Sequence, residues 1–406
     1  VSDDLGLFAD DAGDPQRYGR REARAERDRF RRRRRRRIVT AVAGLFALLI
    51  VGGGALYGTS QLLKIGSYEN YEGSGSGEAV IEVERGDTIS AIGRTLAEHD
   101  VVASATAFVE ASRGNAEIGG IQPGFYLMKK KMSGASAVQR ILSDKASVGR
   151  VEIRGGMRLE DQTRPNGDAV PGILSRLAEA TCVGSGGPDT CVTSKEMRTA
   201  AAQADLAELG APEWAVDPAS AAKAERRLEG LIMPGIYHVE PGSSAEEVLS
   251  SVLTASKAKL QAAGMPDTAE GTGFSPYEIL TMASLIQSEA IKKDFGKVSR
   301  VIRNRLETDM PLQFDSTINY PLDKPTLLTD PSDRERPGPY NTYLNTGLPP
   351  TPISSPSEEA IDAAVNPTPG EWRYFVRCYK DGTSCFSETN EQHNAARRKA
   401  EARGAI

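Results

Sequence analysis

The chain has 406 residues, a formal net charge of −5 and 39% hydrophobic residues. That length exceeds one typical domain and predicts two folded units with connecting segments. The apolar content excludes a chain too polar to build a core. The small net charge hides an asymmetry, since Arg31 to Arg37 is unbroken arginine. Such a run can mark nucleic-acid binding. Here an apolar stretch follows it directly, which favours membrane topology and attraction to anionic lipid over any nucleic-acid partner.

From Ile38 to Leu63 there is no charged residue, which is long enough for the ~20 apolar residues that span a bilayer. A cleaved signal peptide is the rival; its apolar region is shorter, about 7–15 residues, and a small-residue cleavage site follows it. The long polar tail in front also fits an anchor. Positive flanks stay in the cytoplasm. The expected organisation is therefore a basic, disordered cytoplasmic tail at 1–37, a single transmembrane helix at 38–60 and a Gly/Ser-rich flexible linker at 61–78. The rest would lie outside the plasma (inner) membrane.

The four cysteines agree with that side of the membrane. Cys182 and Cys191 flank a turn-rich loop, and Cys378 and Cys385 flank a stretch containing Asp381-Gly382, a hairpin turn signal. Two short-range disulfides suit an oxidising compartment. A metal site is the weaker reading: there is no CxxC, and the three histidines, His99, His238 and His393, are far apart. No cofactor is expected.

Ala79 to Asp87 alternates like a strand. Ile89, Ile92 and Leu96 mark an amphipathic helix, and Ala107, Phe108 and Ala111 a second. After turn residues at 119–124, Phe125 to Met128 reads as a returning strand, and Ser136 to Leu142 as a closing helix. With Val83, the Gly86-Asp87-Thr88 turn, Ile92 and the Gly124-Phe125-Tyr126 ending, residues 79–147 resemble a LysM-like βααβ module, a small sugar-polymer-binding fold. A small α+β unit without a ligand is the alternative. Val151 to Ile153 is a strand, and residues 160–227 read as an insertion with some helix. Leu228 to Ser244 reads as a strand pair broken at Pro234-Gly235 and Pro241-Gly242, and a helix follows from Ala245 to about Leu260.

Ser275-Pro276-Tyr277-Glu278 is a capping box with proline at the first helical position. Ile279, Met282, Ala283, Ile286 and Ala290 then repeat at helical spacing, which puts Glu289 on, or at the edge of, the buried face. A carboxylate there is paired, hydrogen-bonded or functional. One reading is a salt bridge to Arg303, Arg305 or Lys292. The other is an acid whose pKa desolvation raises, as protonation of a glycosidic oxygen requires.

The motifs around it decide the expectation. ASLIQSEA (Ala283 to Ala290), VIRNRL (Val301 to Leu306), MPLQFDST (Met310 to Thr317), PYNTY (Pro339 to Tyr343), GLPPTPISSP (Gly347 to Pro356), YFV (Tyr374 to Val376) and His393 follow in one order, after LEGLIMP (Leu228 to Pro234). This set resembles the YceG-like family, the endolytic murein transglycosylases, over roughly residues 79–400. It implies an α+β catalytic domain at 148–406. It also implies cleavage of the MurNAc–GlcNAc bond of nascent peptidoglycan with 1,6-anhydroMurNAc ends, terminating strand elongation. Glycan strands are the implied substrate and peptidoglycan synthases the implied protein partners.

In that resemblance Glu289 is the catalytic acid and base. Where the family carries an acidic residue two positions earlier, this chain has Gln287. Gln313, Ser316, Asn341 and Tyr343 are candidates for stabilising the oxocarbenium-like state and positioning sugar. Asp315 either stabilises positive charge or caps a turn. Arg305 holds a stem-peptide carboxylate or is structural; His393 orients substrate or caps the last helix; Tyr340 and Tyr343 stack on sugar or pack in the core. The proline-rich stretch at 347–356 reads as a rigid cleft-lining loop. The alternative from another class is a non-catalytic peptidoglycan-binding scaffold of the growth and division machinery.

Overall fold

The computed structural model describes residues 68–164, 166–183, 191–325 and 329–406. The expected tail and membrane helix lie outside them. Among the described residues no helix is long and apolar enough to cross a membrane. Residues 69–406 form one unit of mixed α and β structure.

Strand β1 (Ser74–Val83) leads into helices α1 (Ile89–Glu98) and α2 (Ala105–Ser112), and β2 (Gly124–Met132) returns antiparallel to β1. Helix α3 (Gly134–Ile141) and the short β3 (Ser147–Val148), which extends the sheet beside β2, complete this part. Thr88, Ser104 and Ser133 cap the three helices, each side-chain oxygen accepting an amide of the first turn. The apolar faces meet in one core that includes Ile81, Leu96, Phe108, Met128 and Ile141.

The expected flexible linker ends earlier than its composition predicts. Ser74 pairs with Met132 and Ser76 with Lys130. Gly75 serves close approach here: it has φ +72°, and a Cβ on it would lie 2.3 Å from the Lys130 carbonyl oxygen.

Gly149, at φ +69°, redirects the chain into β4 (Arg150–Ile153); a Cβ there would stand 2.0 Å from the Val239 carbonyl oxygen. A small hairpin follows, β5 (Gln162–Thr163) with β6 (Ala169–Val170), and then α4 (Ile173–Ala180), α5 (Ser194–Gln203) and α6 (Glu213–Ser220). The Cys182–Cys191 disulfide joins the loop between α4 and α5. The expected insertion at 160–227 packs into the domain: its Leu174, Leu177, Met197 and Ala215 are buried in the same core as the helix bearing Glu289.

Strand β7 (Gly235–His238) pairs antiparallel with β4. It is the one strand that Leu228–Ser244 forms, where the apolar run predicts a pair. Leu228 to Met233 is buried in turns instead. Gly230 sets that path, with φ +75° and a would-be Cβ 2.4 Å from the Pro352 side chain.

Helices α7 (Ala245–Ala262), α8 (Pro276–Glu289), α9 (Phe295–Leu306), the five-residue α10 (Asp315–Asn319), α11 (Pro331–Arg334) and α12 (Glu358–Val365) complete the helical body. Strands β8 (Tyr374–Arg377) and β9 (Ser384–Ser387) form the expected hairpin, closed by Cys378–Cys385, and α13 (Asn390–Ala402) ends the fold. Of the proline-rich stretch, residues 351–356 are buried and do not line a cleft. Its polar groups find partners inside, Ile353 N–H donating to Ser284 Oγ at 3.0 Å and Ser355 Oγ to the Ile232 carbonyl at 2.6 Å.

Candidate active site

Helix α8 is the axis of the domain. Its capping box forms as expected, with Ser275 and Glu278 exchanging hydrogen bonds. Every residue from Ile279 to Ile286 is buried, the mark of a helix packed on all sides. The helix leaves the core only in its last turn, and Ala290 ends it in an extended conformation. Glu289 is therefore the last helical residue, half-buried. A carboxylate at a helix C-terminus faces the negative end of the dipole, which disfavours its ionised form.

The salt-bridge reading fails residue by residue. Lys292 pairs with Glu359 at 2.5 Å. Arg303 donates to the carbonyls of Thr272, Ala364 and Val365. Arg305, 6% exposed, donates to the carbonyls of Arg373, Pro311 and Leu312 at 2.6, 3.3 and 2.5 Å. Among the described residues no cation lies within ion-pair distance of Glu289.

What Glu289 does receive is the Ser316 amide, which donates to Oε1 at 3.3 Å from the first turn of α10. Burial pushes the Glu289 carboxyl above the ordinary glutamate range. The Ser316 hydroxyl and amide oppose that rise, the Asp315 carboxylate adds to it, and Arg305 opposes it. The Ser316 hydroxyl influences the carboxyl by proximity, yet it is buried without a well-formed hydrogen bond of its own.

Asp315, beside Ser316, accepts from Tyr343 Oη at 2.6 Å and Thr329 Oγ1 at 2.8 Å, and Arg334 Nε stands 3.8 Å away. Burial and this carboxylate hold the Tyr343 phenol protonated well past its usual range. Gln313 is exposed at φ +53°, its amide donating to the Thr342 carbonyl at 2.9 Å. A non-glycine residue in the left-handed region is strained, and such strain concentrates at functional sites.

The structure thus brings Glu289, Ser316, Asp315 and Tyr343 together, with Gln313 on the segment that enters α10. It does not give Asn341 and Arg305 the roles expected of substrate ligands. Asn341 is buried, its amide nitrogen donating to the Arg334 and Arg336 carbonyls and its oxygen accepting from the Tyr343 amide, so the side chain is used up in shaping the loop. Arg305 is a strut, saturated by the three carbonyls named above. His393 stacks on Tyr374 with ring centroids 5.5 Å apart, and Arg305 lies 5.4 Å from the same ring. Tyr340 is core: 3% exposed and bonded to Thr351 at 2.8 Å.

Sequence reasoning missed three contributors. Thr342 holds α10, its hydroxyl accepting from the Phe314 amide at 3.0 Å and meeting Thr317 Oγ1 at 2.8 Å. Thr329 and Arg334 hold Asp315. Thr342 and Thr329 are loop residues and Arg334 ends the four-residue α11; all lie far along the chain from Glu289, and periodicity carries no signal for them. Gln287 uses its side-chain oxygen to accept from the Ser357 amide at 3.1 Å, at the N-cap of α12. At that position the residue anchors a helix, and the amide serves.

Fold and site together define a class: an α+β protein with a desolvated carboxyl at the exit of a buried helix, without an ion-pair partner among the described residues and facing backbone and hydroxyl donors. The YceG-like family model matches residues 81–399. The endolytic murein transglycosylase of Bacillus subtilis is 27% identical over 358 residues, covering 86% of this chain and 91% of the relative. That of Streptococcus pneumoniae is 32% identical over 183 residues, covering 44% of this chain and 33% of the relative. The crystal structure of a YceG-like protein from Listeria monocytogenes superimposes with a TM-score of 0.52 at 26% identity, over 79% of this chain and 99% of that one. The chain belongs to the YceG-like family.

Proposed function

We propose that this protein is an endolytic lytic transglycosylase that cleaves the MurNAc–GlcNAc bond of nascent peptidoglycan and so terminates strand elongation. The observation that carries the reading is the state of Glu289: desolvated, with no cation at ion-pair distance among the described residues, and accepting the Ser316 amide. Its protonated carboxyl donates to the leaving glycosidic oxygen as the C1–O bond breaks. The resulting carboxylate takes the proton of the muramic C6 hydroxyl, whose oxygen bonds to C1 and closes a 1,6-anhydro ring. Atoms balance without water, so one carboxyl suffices where hydrolases use two. Asp315, held 2.6 Å from the Tyr343 hydroxyl, supplies negative potential to the cationic transition state.

The pH dependence follows from the raised pKa of Glu289. The acid works only while protonated, so kcat/KM falls as pH rises through that pKa. Burial sets it above the ordinary glutamate value, so the alkaline limb of the profile lies above that value. A pH–rate profile on soluble glycan checks this, and a limb at the ordinary value contradicts it.

Three further parts of the reading rest on sequence. The apolar stretch from Ile38 to Leu63 anchors the protein in the plasma membrane, with the basic tail cytoplasmic and the catalytic domain extracytoplasmic. The βααβ part acts as a LysM-like module that holds glycan near the site. Peptidoglycan synthases are the protein partners.

A further inference from the structure

Glu229, from the LEGLIMP stretch, is 1% exposed. Its two oxygens each lie 3.3 Å from the Leu159 amide, and one accepts from the Tyr320 hydroxyl at 3.0 Å. An isolated buried carboxyl is costly, and the reaction above has no use for a second acid. Its partner explains its place. Tyr320 is the residue that closes α10, its amide donating to the Ser316 carbonyl at 3.0 Å. One helical turn therefore separates Glu229's partner from the amide that holds Glu289.

Arg158 grips the same end of α10. It donates to the Asn319 and Tyr320 carbonyls at 3.3 and 3.4 Å and stands 5.4 Å over the Tyr320 ring. Arg226 lies 5.0 Å from that ring and 4.9 Å from the Tyr340 ring, and the two tyrosine rings are 4.9 Å apart. A five-residue helix has no stability of its own, so what grips its ends decides where its amides point. Thr342 grips the start, and the Glu229–Tyr320–Arg158 group grips the end.

We propose that Glu229, acting through the Tyr320 hydroxyl, is a positioning residue that fixes α10 and so holds the Ser316 amide on the Glu289 carboxyl. Burial raises Glu229 to about 7; Tyr320, the Leu159 amide and Arg158 oppose the rise, and Glu160 adds to it. The charged and phenolic groups Arg226, Tyr340 and Tyr277 also face this pocket. The inference rests on Glu289 being the acid.

The test is Tyr320→Phe in the full chain, which keeps the ring and removes the tether. The Ser316 amide favours the ionised carboxylate, so loosening it raises the pKa of Glu289. The alkaline limb of kcat/KM then moves up by roughly half a pH unit, and kcat falls about three- to tenfold with KM unchanged. Glu229→Gln shifts the limb in the same direction and carries the test if the tyrosine variant does not fold. A residue that only contributed packing would lower the melting temperature and leave the limb in place; an unmoved limb in a folded variant overturns the proposal. Cleavage by Glu289→Gln, measured alongside, would instead remove the reading beneath it.

Discussion

Glu289→Gln loses glycan-strand cleavage, by about 10²–10⁴-fold or more, while the protein keeps its fold. General acid catalysis contributes that range when the acid alone is removed, and here the same group also serves as the base. Glutamine keeps the oxygen that accepts the Ser316 amide and removes a carboxyl that burial disfavours in its charged form. The melting temperature therefore stays level or rises. Thermal melts with parallel assays of strand length separate this from unfolding. A scaffold without catalytic activity would keep its cellular role in this variant, whereas an enzyme loses it.

Arg305→Met unfolds or severely destabilises the domain, with a loss on the order of 3 kcal/mol or more. The guanidinium satisfies three carbonyls, at Arg373, Pro311 and Leu312, and leaving a buried acceptor unsatisfied costs about 1–3 kcal/mol each. Methionine fills the volume and supplies no donor. The carbonyls it abandons lie on the segment entering α10 and at Arg373, just before β8, so cleavage falls together with stability. Denaturant unfolding measures the first effect. An Arg305→Met variant of normal stability that only loses affinity for peptide-bearing glycan would restore the role of a stem-peptide ligand.

The sequence carried the chemistry of α8 well because that helix announces itself locally. A capping box starts it, apolar residues fill it, and one carboxylate stands at its edge. The β8–β9 hairpin was legible for the same reason, through its Asp381-Gly382 turn and flanking cysteines. Reading failed where long-range contact overrides local signal. Gly75 looks like linker but lies in β1 against Lys130. The short helices α4 to α6 gave little local signal because eight to ten residues carry too little periodicity. Leu228 to Met233 is apolar enough for a strand, yet Gly230 must turn under Pro352. Among site residues, Ser316, Asp315 and Tyr343 gather at Glu289. Asn341 and Arg305 carry the right chemistry for ligands, but backbone carbonyls claim their donors, and only the folded chain reveals that.

The most direct measurement is mass spectrometry of the products when the full chain acts on uncrosslinked peptidoglycan strands. The account predicts internal cuts whose new muramic ends are 1,6-anhydro, one water lighter than reducing ends. Reducing ends would show that water, not the C6 hydroxyl, attacks C1 and that a second carboxyl is at work; strands left intact would contradict the assignment of Glu289 altogether.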